Sequence, residues 1–339
     1  MTAARAPLKE AFLRRIGWAD AERAHLAGDA SARSYLRLRR GAQVAVLMDS
    51  PPGAGDDVAD FLRIGAHLSV LGLSAPQVFE ADVPNGFLLL EDLGDALYTR
   101  VVADDPSLEG PLYAAAVDVL LAVQAAAAPN GLMALTAADW AAAAGFAPQF
   151  YAAAITGSAP DATDFTARLT AALQVLADGP RVLILRDYHA GNLLWLPDRK
   201  GLARVGVLDF QQAQMGQPGY DLVSLLQDAR RDVSAATETA GLRRFADAIG
   251  LAPGDLAHAY AALGAQRALR ILGIFARLCL VGGKSGYVPL IPRVWEQLMR
   301  NLAHPALADL RAECLKILPE PTPDTLNRII ARCGTLSSP

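Results

Sequence analysis

The chain has 339 residues, of which 53% are hydrophobic, and its 31 Lys and Arg against 35 Asp and Glu leave a net charge of −4. That length supports two lobes with separate cores, and that charge balance argues against a general nucleic-acid surface. Cys279, Cys314 and Cys333 show no CxxC spacing, so they predict neither a zinc site nor a disulfide framework and read as buried thiols of a reducing compartment. The N-terminal MTAARAPLKEAFLRRIGW has no apolar core of signal-peptide length, and the apolar run 112–128 carries Asp118 and Gln124, which suits a buried helix better than a bilayer span. A cytoplasmic setting without a membrane anchor is expected.

Gly28, Asp29, Ala30 and Ser31 are small residues whose backbone N–H groups suit a triphosphate, with Gly28, Ser31 and Arg33 as nucleotide-binding candidates. An ordinary turn is the bland reading, since there is no GxGxxG. Alternation in RSYLRL (33–38) and QVAVLM (43–48) predicts a hairpin with one packed face. Beyond Pro51-Pro52-Gly53, the stripe Val58, Phe61, Leu62, Gly65 and Leu68 predicts a helix that ends at Gly72. QVFEAD and FLLLEDL, joined at Asn85-Gly86, predict a second hairpin, and Leu93-Gly94 a hinge after it. There the backbone of Glu91 and Leu93 could meet adenine, a plain strand end being the alternative. The lobe boundary belongs at this hinge, giving a small nucleotide-binding lobe of 1–92 and a large lobe of 93–339.

From Asp95 onward the pattern is helical and alanine-rich, interrupted only by two short strands around a polar loop. In that loop, LRDYHAGNLLWL (185–196), Asp187 and Asn192 stand five positions apart, and VGVLDF then ends on Asp209 and Phe210. A phosphoryl group in transfer is loose and highly charged, so its catalysis needs positioning and charge neutralisation more than covalent help. Asp187 would orient an acceptor hydroxyl and take its proton late, while Asn192 and Asp209 offer hard oxygens to Mg2+ on the phosphates of ATP. A lone DxxxxN occurs by chance as a turn cap, but strand, loop and DF element in this order favour the chemical reading.

These motifs resemble the aminoglycoside phosphotransferase and choline kinase branch of the protein-kinase-like fold, whose catalytic loop reads HxDxxxxN and whose metal-binding element reads DF or DxD. The resemblance puts the catalytic role on Asp187 and the metal roles on Asn192 and Asp209. It implies an α+β, bilobal fold: a small antiparallel β lobe, a mostly helical large lobe, and ATP between them. Two positions depart from the family. Its loop histidine is Leu185 here, the nearest imidazole being His189, and its strand lysine is missing, because no lysine stands between Lys9 and Lys200. Met48 or Leu47 occupies that stretch, so Arg33 or Arg37 would have to reach the phosphates from another strand.

RDYHAGN, with MDSPP (48–52) and LGIFARL (272–278), is similar more narrowly to bacterial anomeric kinases of cell-wall sugar recycling, which act on the C1 hydroxyl of N-acetylmuramate and N-acetylglucosamine. Arg186 reads equally as a catalytic-loop charge or a structural ion pair, and His189 as an acceptor contact or a loop hydrogen bond. Asp221 fits a helix N-cap, and by resemblance braces the catalytic loop. For the acceptor, Asp228, Arg230, Arg277, Lys284 and Tyr287 are candidates, with Arg231, Arg270 and Arg293 nearby. Arginines suit a lactyl carboxylate, whereas a polycationic aminoglycoside needs an acidic cleft. Phe275, Trp195 and Trp295 could stack on a sugar, though their spacing favours the core. The expected function is therefore MgATP-dependent phosphorylation of an amino sugar at its anomeric hydroxyl. The alternatives are a kinase of aminoglycosides or other small alcohols, and a nucleotide-binding pseudokinase.

Overall fold

The computed structural model describes residues 5–26, 33–53 and 58–337. Helix α1 (Arg5–Arg15) leads into strands β1 (Glu22–Leu26), β2 (Ser34–Arg40) and β3 (Gln43–Asp49), helix α2 (Val58–Val70), and strands β4 (Val78–Asp82) and β5 (Phe87–Glu91). Helices α3 (Tyr98–Asp104), α4 (Glu109–Ala125), α5 (Ala137–Ala144), α6 (Ala153–Thr156) and α7 (Thr163–Leu176) follow. Four short strands come next: β6 (Val182–Ile184), β7 (Leu193–Trp195), β8 (Val205–Val207) and β9 (Gln214–Gly216). The chain closes on α8 (Tyr220–Leu226), α9 (Ala235–Ile249), α10 (Pro253–Leu280), α11 (Ile291–Leu302), α12 (Ala308–Ile317) and α13 (Pro323–Ala331). The architecture is α+β, as the sequence predicts: an antiparallel sheet ordered β1-β2-β3-β5-β4, then a mostly helical remainder. Two compact units emerge, Met1–Leu132 with Leu185–Ala213, and Met133–Ile184 with Gln214–Pro339. The 92/93 position lies inside the first.

In the first unit both expected hairpins form. Strand β2 pairs antiparallel with β3 from Ser34↔Asp49 to Arg40↔Gln43, and β4 with β5 from Val78↔Leu90 to Asp82↔Phe87. Alternation points Leu38, Ala45, Leu47, Phe87 and Leu89 to one face, where Phe12 and Leu13 of α1 and Trp18 cover them. Arg5 of α1 grips Asp49 Oδ1 through Nε at 2.8 Å and Nη2 at 2.6 Å. The turn between β4 and β5 requires its glycine. Gly86 has φ +72, and a Cβ there would sit 1.9 Å from the Ser50 carbonyl oxygen, whose own residue donates N–H to Gly86 O at 2.8 Å. Helix α2 ends where expected, at Gly72 with φ +74. One helical stretch, Pro106–Ala125, is long and apolar enough to cross a membrane; Leu112, Tyr113, Ala116, Val117 and Leu120 of it are buried within the unit.

The second unit corrects three expectations. Four short strands, not two, flank the 185–196 loop along the sequence, β6 pairing with β9 (Leu183↔Met215) and β7 with β8. Pro253 opens the 28-residue helix α10, where its missing N–H costs nothing. Asp221 is not the N-cap of α8. Gly219 holds that position, and Asp221 lies in the first turn, fully buried. Cys279 and Cys314 are buried, whereas Cys333 is partly exposed. Phe275 and Trp295 are buried core residues at 3% and 8% exposure, while Trp195, in the first unit, is half-buried under the Arg204 guanidinium, 4.8 Å from the ring centroid. Gly273, inside LGIFARL, lets the backbone of Phe146 touch α10, since a Cβ would fall 2.1 Å from its carbonyl carbon.

Candidate active site

The catalytic loop lies wholly within the first unit and is fastened from three sides. Before it, Leu185 is buried at 1% exposure, and the Asp187 N–H donates to the Leu185 carbonyl at 2.9 Å across Arg186, whose φ is +71. This is a γ-turn in its strained, positive-φ form, and it swings the Asp187 side chain out of the strand direction. Tyr188 anchors the loop through its hydroxyl, which donates to the Ala116 carbonyl of α4 at 2.9 Å. After the loop, β7 pairs with β8 from Leu193↔Val207 to Trp195↔Val205, and the Leu208 N–H donates to Asn192 O at 2.9 Å. Register therefore places Asn192 opposite Leu208, one residue from Asp209.

Asn192 Nδ2 donates to the Asp187 carbonyl oxygen at 2.9 Å, which fixes the amide and turns its Oδ1 away from the loop backbone. Among the described residues, neither Asn192 Oδ1 nor the Asp187 carboxylate accepts a hydrogen bond, and both residues are partly exposed. Asp209, at φ +59, is the other non-glycine residue with positive φ. Its Oδ1 receives Arg33 Nη2 at 2.5 Å and Gln211 Nε2 at 2.9 Å. Burial, the largest influence, pushes the Asp209 carboxyl up. The Arg33 charge, the hydrogen bonds from Gln211 and Arg33, and the His189 charge outweigh it and hold the carboxyl below its ordinary value. Phe210 docks the element onto α2, its ring centroid 4.8 Å from that of Phe61.

His189 is buried at 6% exposure, and its Nδ1 accepts the Gly191 N–H at 3.2 Å. It caps the 190–192 turn, and its Nε2 lies 3.4 Å from Asn192 Nδ2. Gly28 and Ser31 lie outside the described residues. Arg33 does come to the site, but onto a carboxylate. Arg37 does not fill the lysine's place: it is forked between Asp92 (Nε–Oδ2 2.6 Å) and Asp95 (Nη1–Oδ2 2.8 Å). Met48 and Leu47 are both buried, Leu47 on the face covered by α1. Glu91 pairs with Arg199 at 2.5 Å, and the Arg199 guanidinium also donates to Ser74 Oγ at 2.6 Å, so 91–95 is strapped to β2 on one side and to the β7–β8 connection on the other. Leu93 is partly exposed in this segment.

The acceptor candidates, all in the second unit, fall into two groups. Asp228 is 1% exposed and accepts the Arg230 N–H at 2.8 Å; Arg267 of α10 donates to the neighbouring Gln227 carbonyl at 3.0 Å. Arg230 is exposed, and Arg293 pairs with Asp232 at 2.7 Å. Arg277 stands ten residues beyond Arg267 on α10, about 15 Å along the axis, over the rings of Phe146 and Phe150. Lys284 and Tyr287 follow that helix end, with Tyr287 against Phe275 at 5.3 Å. Arg270 is drawn to the Tyr220 hydroxyl at 3.2 Å.

Among the described residues no three His, Cys, Asp or Glu gather as a metal-binding group. The oxygens on offer are an amide and a carboxylate, a donor set that fits Mg2+ completed by phosphates and water better than a protein-caged metal. A model of the phosphotransferase enzyme family matches residues 23–263. The chain belongs to that family. A Caulobacter vibrioides protein named N-acetylmuramate/N-acetylglucosamine kinase is 38% identical over 92% of this chain and 96% of its own. Its namesake in Pseudomonas aeruginosa is 33% identical over 90% and 91%. Among solved structures, ADP-bound aminoglycoside phosphotransferase APH(2'')-Ib aligns with TM-score 0.59 at 15% identity over 90% of this chain and 98% of its own. The choline kinase LicA of Streptococcus pneumoniae aligns with TM-score 0.57 at 15% identity, covering 87% and 100%. The fold is thus protein-kinase-like, and the chain is a kinase of the phosphotransferase family. Gln211 escaped the sequence reading. The DxD alternative of the metal element was the signal that could have found it, since Gln211 stands where the second aspartate would be.

Proposed function

We propose that this enzyme transfers the γ-phosphate of MgATP to the anomeric C1 hydroxyl of N-acetylmuramate, N-acetylglucosamine or both. The observation that carries the reading is the 38% identity to a kinase so named, extending over 92% of the chain and therefore over the whole Asp187–Asn192–Asp209 constellation. Asp187, its carboxylate turned out by the γ-turn and without a hydrogen bond among the described residues, orients the acceptor hydroxyl and receives its proton as the bond to phosphorus forms. Asn192 Oδ1 and an Asp209 oxygen hold Mg2+, which when bound neutralises charge on the phosphates. The backbone of Glu91 and Leu93 receives adenine, and Gly28, Ser31 and Arg33 serve the phosphates. Asp221, fully buried in the first turn of α8, has a structural rather than a catalytic role. Asp228 and Arg230, or Arg277, Lys284 and Tyr287, contact the sugar; the arginines suit a lactyl carboxylate.

The test is ATP consumption across a panel of N-acetylmuramate, N-acetylglucosamine, glucose, choline and kanamycin. Turnover with either N-acetyl sugar exceeding that with the others supports the reading. Turnover with kanamycin or choline alone, or with none of the panel, rejects it.

A further inference from the structure

The Asp209 carboxylate is divided. Oδ1 takes both protein donors, Arg33 Nη2 at 2.5 Å and Gln211 Nε2 at 2.9 Å, while Oδ2 accepts no hydrogen bond among the described residues and is not sealed from solvent. Two donors on one oxygen fix the plane of a carboxylate, and they leave the lone pairs of the other oxygen open to an ion. The backbone enforces the same outcome, because Asp209 is held at φ +59 one register step from Asn192. Gln211 is itself rigid: it is 6% exposed, two residues along the chain, and follows Phe210, which is locked against Phe61.

Resting on the metal role given to Asp209 above, we propose that Gln211 is a positioning residue for the divalent cation. It reserves Oδ1 for the protein, so that Asp209 ligates the ion through Oδ2 alone. Arg33 works on the same oxygen and compensates the charge of the buried carboxylate. A bidentate Asp209 would require a protein donor to give up its direction on Oδ1, which the burial of Gln211 opposes.

Gln211 is the cleaner probe, because its amide carries no net charge and its loss changes orientation without changing the site's net charge. Calorimetry would measure ADP affinity with Mg2+ and with EDTA for the wild type, Gln211→Met and Asp209→Asn; asparagine tolerates the left-handed backbone at 209. The Mg2+-dependent gain in affinity is expected to fall about tenfold in Gln211→Met, with the EDTA affinity within about twofold of wild type as evidence of an intact nucleotide site, and to vanish in Asp209→Asn. A full Mg2+ gain in Gln211→Met alongside its loss in Asp209→Asn overturns the positioning role and leaves the metal assignment standing. A full gain in Asp209→Asn overturns the metal assignment itself. Weakened EDTA affinity in Gln211→Met overturns the proposal too, since it makes Gln211 part of the nucleotide pocket.

Discussion

Arg186 and Asp209 are the two non-glycine residues with positive φ in the described chain, and each adjoins or carries a carboxylate of the site. Such a conformation costs about 1–3 kcal/mol at a residue with a side chain, so it persists only where the surroundings over-determine it. Here they do, through the Asp187–Leu185 turn, the Asn192 amide on Asp187 O, and the two donors on Asp209 Oδ1. In the proposed reaction this strain aims one carboxylate at the acceptor and the other at the ion. Asp187→Asn keeps the volume and the turn but removes the base. Its kcat should fall about 100- to 10,000-fold, with calorimetric ADP affinity unchanged; near-normal turnover would take the proton-accepting role away from Asp187. The juxtaposition of Asp187, Asn192 and Asp209 was legible in the sequence because it follows from their order along two adjoining strands. The grip of Arg33 on Asp209 was not, since it joins positions 176 apart, and charge complementarity alone would have served Arg33 equally well on a phosphate.

Elements were legible where the sequence alternates or carries a turn signal. Strands β2 and β3 announced themselves by alternation and β4 and β5 by the Asn85-Gly86 turn, β5 being buried from Phe87 to Leu90, whereas β1, ERAHL, is exposed over Glu22–His25 at the sheet edge and carries no such period. The same sheet positions residues 91–95, through Arg37 of β2 on Asp92 and Asp95. Arg37→Ala should raise KM for ATP about tenfold, the equivalent of the roughly 1.5 kcal/mol of one charge-assisted hydrogen bond, with KM for the sugar unchanged. An unaltered ATP response would detach this segment from adenine. The pair also carries a pH signature. Hydrogen bonding from Arg37, against the opposing effect of burial and aided by the Arg37 and Arg100 charges, holds the Asp95 carboxyl below its ordinary 3.8. A depressed carboxyl stabilises the fold above its unfolded pKa, and that stabilisation is lost as pH falls through the folded value. The Tm gap between wild type and Arg37→Ala should therefore be widest near neutrality and close as pH drops below 3.8; a gap that widens with acid contradicts the assignment. Gly86→Ala tests the β4–β5 corner. With φ +72 and the Ser50 carbonyl in the way, it should cost more than about 1 kcal/mol in a urea melt, and a neutral effect would refute the close approach.

At the scale of the whole molecule, the catalytic segment Leu185–Ala213 joins the compact unit built by the first 132 residues, although its neighbours on both sides belong to the other unit. Hydropathy along the chain marks changes of composition, as at Gly94, and says nothing of a segment that returns across sequence, so this grouping could not be read in advance. The acceptor candidates suffered similarly. Asp228 and Arg230 follow α8, whereas Arg277 lies in the last turn of α10 with Lys284 and Tyr287 beyond it, and the α8 end meets α10 at Arg267, ten residues before Arg277. The regiochemistry of the proposed transfer depends on which sugar hydroxyl Asp187 receives. The most direct measurement is a phosphorus–proton correlation NMR spectrum of the product formed from MgATP and N-acetylmuramate, with Asp187→Asn as control. The account predicts a phosphorus signal coupled to the anomeric proton, formed in step with ADP and absent with the variant. Coupling to any other sugar proton, or ADP released without a sugar phosphate, would contradict it.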